Sequence, residues 1–262
     1  MGTYVIGDTH GCYTELMQLM DKIEKEDSDA KFILIGDIVD RGTETYLLCK
    51  WAMKNITSNG KYQMVIGNHE KEKIDWLDYN KNELNYKGIE VTNTALVHDY
   101  TDRYNLYAQI DKYCKSDMET CNFIVKFIGW CKNLAYYKDI IVNNQRFIIA
   151  HANIPDSAIN YNTNTIKKEL TTEQKDFIVW DRDIMGFTAL DNTILVHGHT
   201  PTIMPEAFPL YLGEDISELV GKIVHTTNRL NVDCGLVYKK HFDKANLAAL
   251  RLDDLKEFYL YD

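Results

Sequence analysis

The chain has 262 residues, of which 45% are hydrophobic and 26% are charged, and these fractions are ordinary for a soluble globular protein. Its 39 acidic residues outnumber its 29 lysines and arginines, so the formal net charge is −10. This balance argues against a general nucleic-acid groove, because no basic stripe is present to neutralise phosphates. A small phosphorylated substrate is compatible with it, since bound metal ions reverse the sign of the local field.

The chain enters an apolar run directly after Met1-Gly2 and contains no stretch of 18 apolar residues. We therefore expect neither a leader peptide nor a membrane span. The six cysteines form no C-x-x-C pair and no compact framework. They predict reduced thiols, and hence a cytoplasmic protein.

The first third of the chain alternates short apolar runs with segments of helical periodicity. We predict strands at 3–7, 32–35 and 62–66, a helix after the first strand, and a second helix over 43–56. This β-α-β-α-β order predicts a parallel sheet flanked by helices. Ligands of such sheets bind outside the carboxyl ends of the strands.

The middle of the chain, roughly 71–134, is polar, and its apolar residues have helical spacing. We predict a helical excursion over one edge of the site, with an insertion at about 78–134 in a single domain that spans 1–262. Strands return at about 135–150, where Asn143-Asn144 predicts a hairpin turn.

The last third is predicted to contain further short strands that form a second, mostly antiparallel sheet. These strands are predicted at 193–196, 229–234, 235–240, 245–252 and 255–260. The fold class expected from the whole pattern is α/β.

Five blocks of the sequence share one design, in which a β-branched apolar run is followed by Gly or Ala and then by polar residues. These polar residues are Asp8 to His10, Asp37, Asn68 to Glu70, His151, and His197 to His199. An isolated Asp after a strand is usually a cap or turn residue, but the repetition favours five strand ends that meet at one metal site.

The candidate ligands are oxygen and nitrogen donors without a thiolate, namely Asp8, His10, Asp37, Asn68, His151 and His199. Such a set suits two divalent ions, best Mn²⁺ and alternatively Fe, Zn or Ni, rather than a sulfur-bound structural zinc. If Asp37 bridges two ions, the pair can clamp phosphoryl oxygens and activate a bridging water for in-line attack.

Further side chains supply the other parts that a phosphoryl reaction needs. Arg41 and Arg182 are candidate phosphate clamps, because a guanidinium grips two oxygens at once. His69 can protonate the leaving alkoxide if another group fixes its tautomer, and Asp40 is the obvious partner. Gly36 and Gly198 allow close approach of the backbone.

The motifs G-D-T-H-G at Gly7, G-D-I-V-D-R-G at Gly36, G-N-H-E at Gly67 and G-H-T at Gly198, with the lone His151, resemble the metallophosphoesterase (calcineurin-like) superfamily. The phosphoprotein phosphatase branch is the most similar, and within it the small bacterial and bacteriophage (lambda-type) serine/threonine phosphatases. The resemblance covers most of the chain except roughly 78–134 and 203–228, and the motifs are very specific in combination.

This resemblance implies a four-layer α/β/β/α sandwich of two mixed β-sheets with helices outside. It also implies roles for the residues of the motifs. A first metal is expected on Asp8, His10 and Asp37, a second on Asp37, Asn68, His151 and His199, the general acid is His69 paired with Asp40, and the substrate contacts are Arg41, Arg182 and Asn68.

Two departures from related families bear on the substrate. Many phosphodiesterases of the superfamily carry a second histidine where this chain has Pro201, so the first metal is expected to keep more open positions. Symmetrical diadenosine tetraphosphatases usually lack the aspartate found here as Asp40 and end the third motif in Asp rather than Glu70. Both residues favour the protein-phosphatase type.

We predict a dinuclear metal-dependent phosphatase of phosphomonoesters that attacks phosphorus directly with a metal-bound hydroxide. The alternatives are a symmetrical dinucleoside polyphosphate hydrolase and a catalytically silent binding protein with the same fold. The expected partner is a phosphorylated substrate, with no nucleic acid and no membrane, and the sequence carries no indication of oligomeric state.

Some polar residues near the motifs keep two interpretations. His197 is as well explained by a satisfied core position as by a role beside the metals. Asp233 either orients a ligand imidazole or forms a turn. Cys12 is predicted to be a packing residue, because its neighbours supply a full set of hard donors.

Overall fold

The computed structural model describes residues 1–82, 94–101, 105–182, 190–204 and 216–261. Its strands are β1 (Thr3–Ile6), β2 (Lys31–Leu34), β3 (Tyr62–Met64), β4 (Tyr137–Val142), β5 (Gln145–Ala150), β6 (Ile159–Asn160), β7 (Thr165–Ile166), β8 (Thr193–His197), β9 (Val224–His225), β10 (Arg229–Asn231), β11 (Ala248–Arg251) and β12 (Glu257–Tyr259). Its α-helices are α1 (Tyr13–Glu24), α2 (Thr45–Asn55), α3 (Asn68–Asn80), α4 (Thr94–Thr101), α5 (Leu106–Asp111), α6 (Asp117–Cys131) and α7 (Thr172–Trp180).

The predicted β-α-β-α-β unit is present in the first third of the chain. β1, β2 and β3 are adjacent and parallel, with Ile6 opposite Leu34 and Leu34 opposite Met64. α1 connects β1 to β2 and buries Leu16, Leu19, Met20 and Ile23, which recur at helical spacing.

Two five-stranded mixed sheets form the centre of the fold. The first has the order β12-β11-β1-β2-β3, in which β11 is antiparallel to β1 and β12 is antiparallel to β11. The second has the order β4-β5-β8-β10-β9. In it β5, β8 and β10 are parallel, and only the outer strands β4 and β9 are antiparallel.

The two sheets pack face to face. Because successive strand residues point to opposite sides, each strand contributes to one cluster between the sheets and to another beneath the helices. Val5 of β1 and Ile33 of β2 belong to one buried cluster with Phe147 and Ile149 of β5. Their neighbours along the strands belong to the cluster that includes the helices, as Ile6 and Ile148 do. The predicted α/β fold with two mixed sheets and flanking helices is confirmed.

Three predictions for the later strands are corrected. The second sheet is mixed rather than mostly antiparallel, and β11 and β12 join the first sheet. The predicted strand at 235–240 is a 3-10 helix at Leu236–Tyr238. Gly235 has φ of +75°, in the left-handed region, and this turn interrupts an extended course of the chain.

The hairpin and the helical excursion agree with the sequence. Asn143 and Asn144 have φ of 48° and 66°, as a two-residue hairpin loop between β4 and β5 requires. Among the described residues of the middle segment, α6 packs against α3, whose first residues are Asn68 and His69. The predicted insertion at 78–134 includes residues 83–93 and 102–104, which lie outside the described residues.

None of the helices in the described ranges combines the length and the apolar character that a membrane crossing requires.

Candidate metal and phosphate site

The polar residues of the five sequence blocks lie at the carboxyl ends of strands from both sheets. Asp8 follows β1, Asp37 follows β2, and Asn68 begins α3 shortly after β3. From the second sheet, His151 follows β5 directly and His199 lies two residues beyond β8. The predicted ligands Asp8, His10, Asp37, Asn68, His151 and His199 are all at most 6% exposed.

The Asp37 carboxylate lies at the centre of this group. Its Oδ2 is 3.4 Å from His151 Nε2, 3.6 Å from His10 Nε2 and 3.8 Å from His69 Nε2. The described residues contain two buried groups with the spacing of metal ligands, one of His10, Asp37 and His69 and one of Asp37, His151 and His199. Asp37 is common to both groups, so it would be a ligand of each ion if two ions were bound.

Asn68 completes the second group. Its Oδ1 lies 2.9 Å from His151 Nε2 and 2.9 Å from His199 Nδ1. Two imidazole nitrogens and an amide oxygen therefore converge on one point beside Asp37, as expected for a divalent ion with oxygen and nitrogen ligands.

The tautomers of two histidines test whether a cation fits. His10 Nδ1 is 2.9 Å from the Val39 carbonyl oxygen, and His151 Nδ1 is 2.8 Å from the Ile35 carbonyl oxygen. A carbonyl only accepts, so each Nδ1 carries the proton and donates it. In a neutral imidazole Nε2 then presents a lone pair to the site. A hydrogen bond from the ring nitrogen that does not face the metal is what orients ligating histidines in metal sites.

The neutral tautomer makes His151 Nε2 an acceptor that faces the Asn68 oxygen, which is also an acceptor. A cation between them resolves this conflict. The electrostatics agree: burial lowers the pKa of His151, but the Asp37 and Asp8 carboxylates outweigh it and raise the pKa to about 10. A positive charge, proton or metal ion, is therefore favoured at this point.

Asp8 lies next to Asp233. Its Oδ1 is buried and has no hydrogen-bond partner among the described residues. Burial and the neighbouring Asp233 carboxylate hold the pKa of Asp8 well above its ordinary value. Because a buried acceptor without a partner costs free energy, a metal ion that accepts this oxygen as a ligand would stabilise it.

Asp40 and His69 form the predicted pair. His69 Nδ1 lies 2.6 Å from Asp40 Oδ2, and both side chains are buried. The contact leaves His69 Nε2 directed toward the site, where it is 3.8 Å from Asp37 Oδ2. His69 thus has the orientation that a proton donor to a bound substrate needs.

Lys73 extends this pair and is a residue that the sequence interpretation missed. Its Nζ is 2.5 Å from Asp40 Oδ2 and 3.2 Å from the His69 carbonyl oxygen. Burial opposes ionisation of Asp40, but Lys73 and His69 outweigh it and lower the pKa of the carboxyl group. Lys73 follows His69 by four positions on α3, and this helical spacing is the signal that could have found it.

The two predicted phosphate clamps are exposed side chains at the edges of the buried groups. Arg41 places one guanidinium nitrogen 2.8 Å from His10 Nε2 and another 3.2 Å from His69 Nε2. Arg182 lies on the other side, 3.4 Å from the Thr200 hydroxyl, next to His199. Both predicted clamps are therefore beside the candidate metal ligands.

The backbone at the site is held in a conformation that L-residues rarely adopt. Five residues of the site have backbone φ angles in the left-handed region, between 40° and 67°. They are His10, Asp37, Asp40, Arg41 and His199. Each such residue costs about 1–3 kcal/mol, and these costs concentrate at functional sites. Gly36, at φ of +104°, lies against Gly67, where a Cβ would be 2.4 Å from the Gly67 nitrogen.

Glu70 links the loop after β2 to the start of α3. Its carboxylate accepts hydrogen bonds from the backbone N–H groups of Asp37 at 2.8 Å, Ile38 at 3.0 Å and Gly67 at 3.0 Å. The bond from Gly67 lies within the turn that begins α3, and the bonds from Asp37 and Ile38 come from the loop after β2. Glu70 therefore fixes Asp37 relative to Asn68 and His69.

The residues with two interpretations have observed contacts. His197 is buried, its Nδ1 is 3.3 Å from the Gly198 carbonyl oxygen, and burial together with Arg229 lowers its pKa to about 3. Asp233 Oδ1 accepts from the Gly235 N–H at 2.9 Å, which is the turn role. Burial raises the pKa of the Cys12 thiol to about 12, as expected for a packing residue.

A cavity of about 580 Å³ opens beside Arg41. Its walls come from the start of α1, the loop before α2 and the segment around Lys239 and Lys240, with Tyr261 at one side. A substrate group larger than phosphate has room here.

Residues 1–233 match the family described as calcineurin-like phosphoesterase. A symmetrical bis(5'-nucleosyl)-tetraphosphatase from Haemophilus ducreyi is 46% identical over 70 residues, which are 27% of this chain and 25% of that protein. The enzyme of the same name from Pasteurella multocida is 37% identical over 70 residues, or 27% and 24% of the two chains. The matches thus span about a quarter of these relatives.

Solved structures share the fold over almost the whole chain. A protein serine/threonine phosphatase from Saccharomyces cerevisiae superimposes with a TM-score of 0.56 at 14% identity, covering 99% of this chain and 78% of that one. A metallophosphoesterase from Sphaerobacter thermophilus gives a TM-score of 0.50 at 14% identity, covering 99% and 86%.

Proposed function

The chain belongs to the calcineurin-like phosphoesterase family, and we propose that it is a metal-dependent phosphatase of phosphomonoesters, of the serine/threonine phosphoprotein type. Water attacks phosphorus directly, and no phosphoenzyme forms. The candidate ligands would hold two divalent ions, which when bound polarise the phosphoryl oxygens and activate the attacking water. We propose Mn²⁺ as the ion.

The contact of 2.6 Å between Asp40 and His69 carries this proposal. An alkyl alcohol such as the serine side chain is a poor leaving group, and its departure needs a proton. Asp40 holds the Nδ1 proton, so that a protonated His69 can deliver a proton from Nε2 to the leaving oxygen. A nucleotide leaving group needs such help less, because its phosphate carries the charge that develops.

The remaining residues bind and orient the phosphoryl group. Arg41 and Arg182 approach the site from two sides, and their guanidinium groups can each hold phosphate oxygens. The N-terminus of α3 begins at Asn68 and favours an anion at the same place. Because Arg41 contacts His69 and also lines the 580 Å³ cavity, we place the alcohol part of the substrate there.

The test replaces His69 with Asn and compares two phosphomonoesters in the Mn²⁺-loaded protein. We expect kcat on a phosphoserine peptide to fall by about 10²–10⁴-fold, the usual contribution of a general acid. The fall should be smaller on 2,4-dinitrophenyl phosphate, whose leaving group needs no proton. Bound metal, measured by mass spectrometry, should stay at two equivalents. Unchanged kcat on the peptide would refute the assigned acid.

A second candidate is hydrolysis of symmetrical dinucleoside polyphosphates. It is supported by the printed names of the bacterial relatives, which match over 70 residues. Turnover of diadenosine tetraphosphate without turnover of phosphoserine peptides or nitrophenyl phosphate would establish this candidate in place of the first. A silent binding protein would turn over neither class under any metal.

A cytoplasmic location is part of the same proposal. All six cysteines are unpaired, which supports a reducing compartment.

A further inference from the structure

Helix α3 carries two buried lysines that form different ion pairs. Lys71 Nζ contacts the exposed carboxylate of Asp75 and lies 2.9 Å from Asp176. Lys73, whose side chain is 2% exposed, contacts the fully buried Asp40 at 2.5 Å. The two lysines lie on the same helix and carry the same charge, but of these two only Lys73 contacts the Asp40–His69 pair.

We propose that Lys73 is a positioning residue that fixes the proton-donating ring of His69 through Asp40. This inference rests on the proposed role of His69 and assigns a function to a residue outside the sequence motifs. Lys73 and His69 both contact the same carboxylate oxygen, Asp40 Oδ2. The other oxygen, Oδ1, is buried and has no hydrogen-bond partner among the described residues. The orientation of the carboxylate therefore depends on these two contacts.

A second contact ties the lysine to the backbone that carries the ring. Lys73 Nζ lies 3.2 Å from the His69 carbonyl oxygen, so the ammonium bridges the partner of the imidazole and the main chain of the histidine. Asp40 itself has φ of 66°, so its loop is not held by ordinary backbone preference. The ammonium is thus a fixed point between the loop after β2 and the first turn of α3.

A purely structural role accounts less well for this arrangement. A buried ion pair is weak evidence for stability, since apolar residues of similar volume often replace it without loss. The pair here has polar groups of the site as its neighbours, and breaking it leaves Asp40 as a buried carboxylate with His69 as its remaining partner. The Asp40 carboxylate can then rotate, and the His69 ring loses its fixed direction.

Kinetic comparison of Lys73→Met with Lys71→Met tests the proposal. Both variants remove one buried ammonium from α3, so Lys71→Met controls for helix and charge. We expect Lys73→Met to lower kcat on a phosphoserine peptide by about 10- to 100-fold, the usual cost of losing a group that orients an active side chain. KM and bound Mn²⁺ should stay near the wild-type values, and kcat on 2,4-dinitrophenyl phosphate should fall less. Lys71→Met should behave as wild type.

A double-mutant cycle asks whether Lys73 acts through His69. In the His69→Asn background, Lys73→Met should lower kcat on the peptide by less than about twofold, because the group it positions is absent. Full additivity of the two substitutions would overturn the proposal and make Lys73 an independent structural residue. If Lys73→Met does not fold, Lys73→Gln, which lacks the charge and is one atom shorter, serves in the same cycle.

A measurement without turnover separates this inference from the proposed function. In metal-free protein, proton NMR should show a ring N–H signal that disappears in His69→Asn and is therefore assigned to the bond with Asp40. This signal should shift or broaden in Lys73→Met and keep its position in Lys71→Met. If no phosphomonoester is hydrolysed, the proposed function fails while this test still applies. An unchanged signal in a folded Lys73 variant would overturn the positioning role.

Discussion

The two halves of the candidate site share Asp37 but differ in how they balance charge. In the arginine half, which is His10, His69 and Arg41, a guanidinium of the protein contacts both imidazoles. In the amide half, which is Asn68, His151 and His199, two ring nitrogens face one amide oxygen. Within the described residues no lysine or arginine makes a hydrogen bond or an ion pair with the amide half.

This difference supports the proposal that the amide half needs an added cation to balance its acceptors. Its acceptors converge, and its nearest carboxylate, Asp37, is buried and negative, because His151 and His69 outweigh the burial that opposes ionisation and hold the pKa of Asp37 well below its ordinary value. The arginine half has a partial substitute for a metal in Arg41.

Loss of an imidazole from the amide half should have the largest effect. His151→Ala removes the nitrogen that is 2.9 Å from Asn68 Oδ1 and 3.4 Å from Asp37 Oδ2. We expect one Mn²⁺ equivalent to be lost and kcat on phosphomonoesters to fall by more than the roughly 10- to 100-fold cost of losing a group that only orients a ligand. Metal analysis by mass spectrometry and steady-state kinetics measure both quantities. Two retained equivalents would show that the amide half does not bind the metal.

His197→Gln is the matched control for this prediction. His197 is buried and lies two residues before His199, but its Nδ1 faces a carbonyl oxygen of its own loop. We expect this variant to keep both metal equivalents and most of its activity.

Much of the site could be predicted because its residues follow strand ends that the hydrophobic pattern reveals. An apolar β-branched run that stops at Gly predicts where a strand ends, and parallel strands present their carboxyl ends together. The convergence of Asp37, Asn68 and His151 follows from this rule. The contact of Lys73 with Asp40 does not follow from this rule, because a lysine on a helix ordinarily predicts an exposed face.

The parts that could not be predicted depend on contacts between distant residues. The left-handed backbone of Asp37 and Asp40 is stabilised by bonds to α3, such as the one from the Asp37 N–H to Glu70, 33 residues away. The local sequence of β11 does not show which sheet it joins, and β11 pairs with β1, about 245 residues earlier. Strand pairing of this kind is decided by tertiary packing rather than by local propensity.

Loss of Arg41 and loss of Arg182 should lower kcat/KM by different amounts. Arg41 contacts the proposed acid and a predicted metal ligand, so Arg41→Ala should lower kcat/KM by about 10²–10³-fold, as for the loss of one donor to a developing oxyanion. Arg182 is exposed, and its contact with the Thr200 hydroxyl is long, at 3.4 Å. We therefore expect Arg182→Ala to lower kcat/KM by only about tenfold. Steady-state kinetics on one phosphoserine peptide compares both.

A lysine variant of Arg41 tests how much of the effect is due to charge alone. Arg41→Lys keeps the positive charge but loses the planar fork, and we expect it to recover only part of the activity lost in Arg41→Ala. An Arg182→Ala variant more impaired than Arg41→Ala would reverse the contrast between the halves.

A smaller effect is expected from the carboxylate that joins the loops. Glu70 accepts three backbone N–H bonds, two of them from Asp37 and Ile38. Glu70→Gln replaces one accepting oxygen by a donor, so we expect the free energy of unfolding to fall by about 1–3 kcal/mol. Urea denaturation of the metal-free protein measures this, and Glu173→Gln, at an exposed glutamate in the first turn of α7, is the control. Stability equal to that of the control would show that these three bonds contribute little.

The smallest effect is expected in the pH dependence of stability, to which the buried His197 contributes. Burial, with Arg229, lowers the pKa of His197 to about 3, so the folded protein keeps it neutral while the unfolded chain takes up a proton below its ordinary value of 6.5. Its contribution to stability is therefore complete above pH 6.5 and is lost as the pH falls toward about 3. Urea denaturation of metal-free protein should show that His197→Gln loses less stability than wild type between pH 6.5 and 5.5, by at most about 1.4 kcal/mol. Equal losses in both proteins would mean that His197 is protonated in the fold, and thus that its contact with the Gly198 carbonyl oxygen holds a cation rather than a neutral core residue.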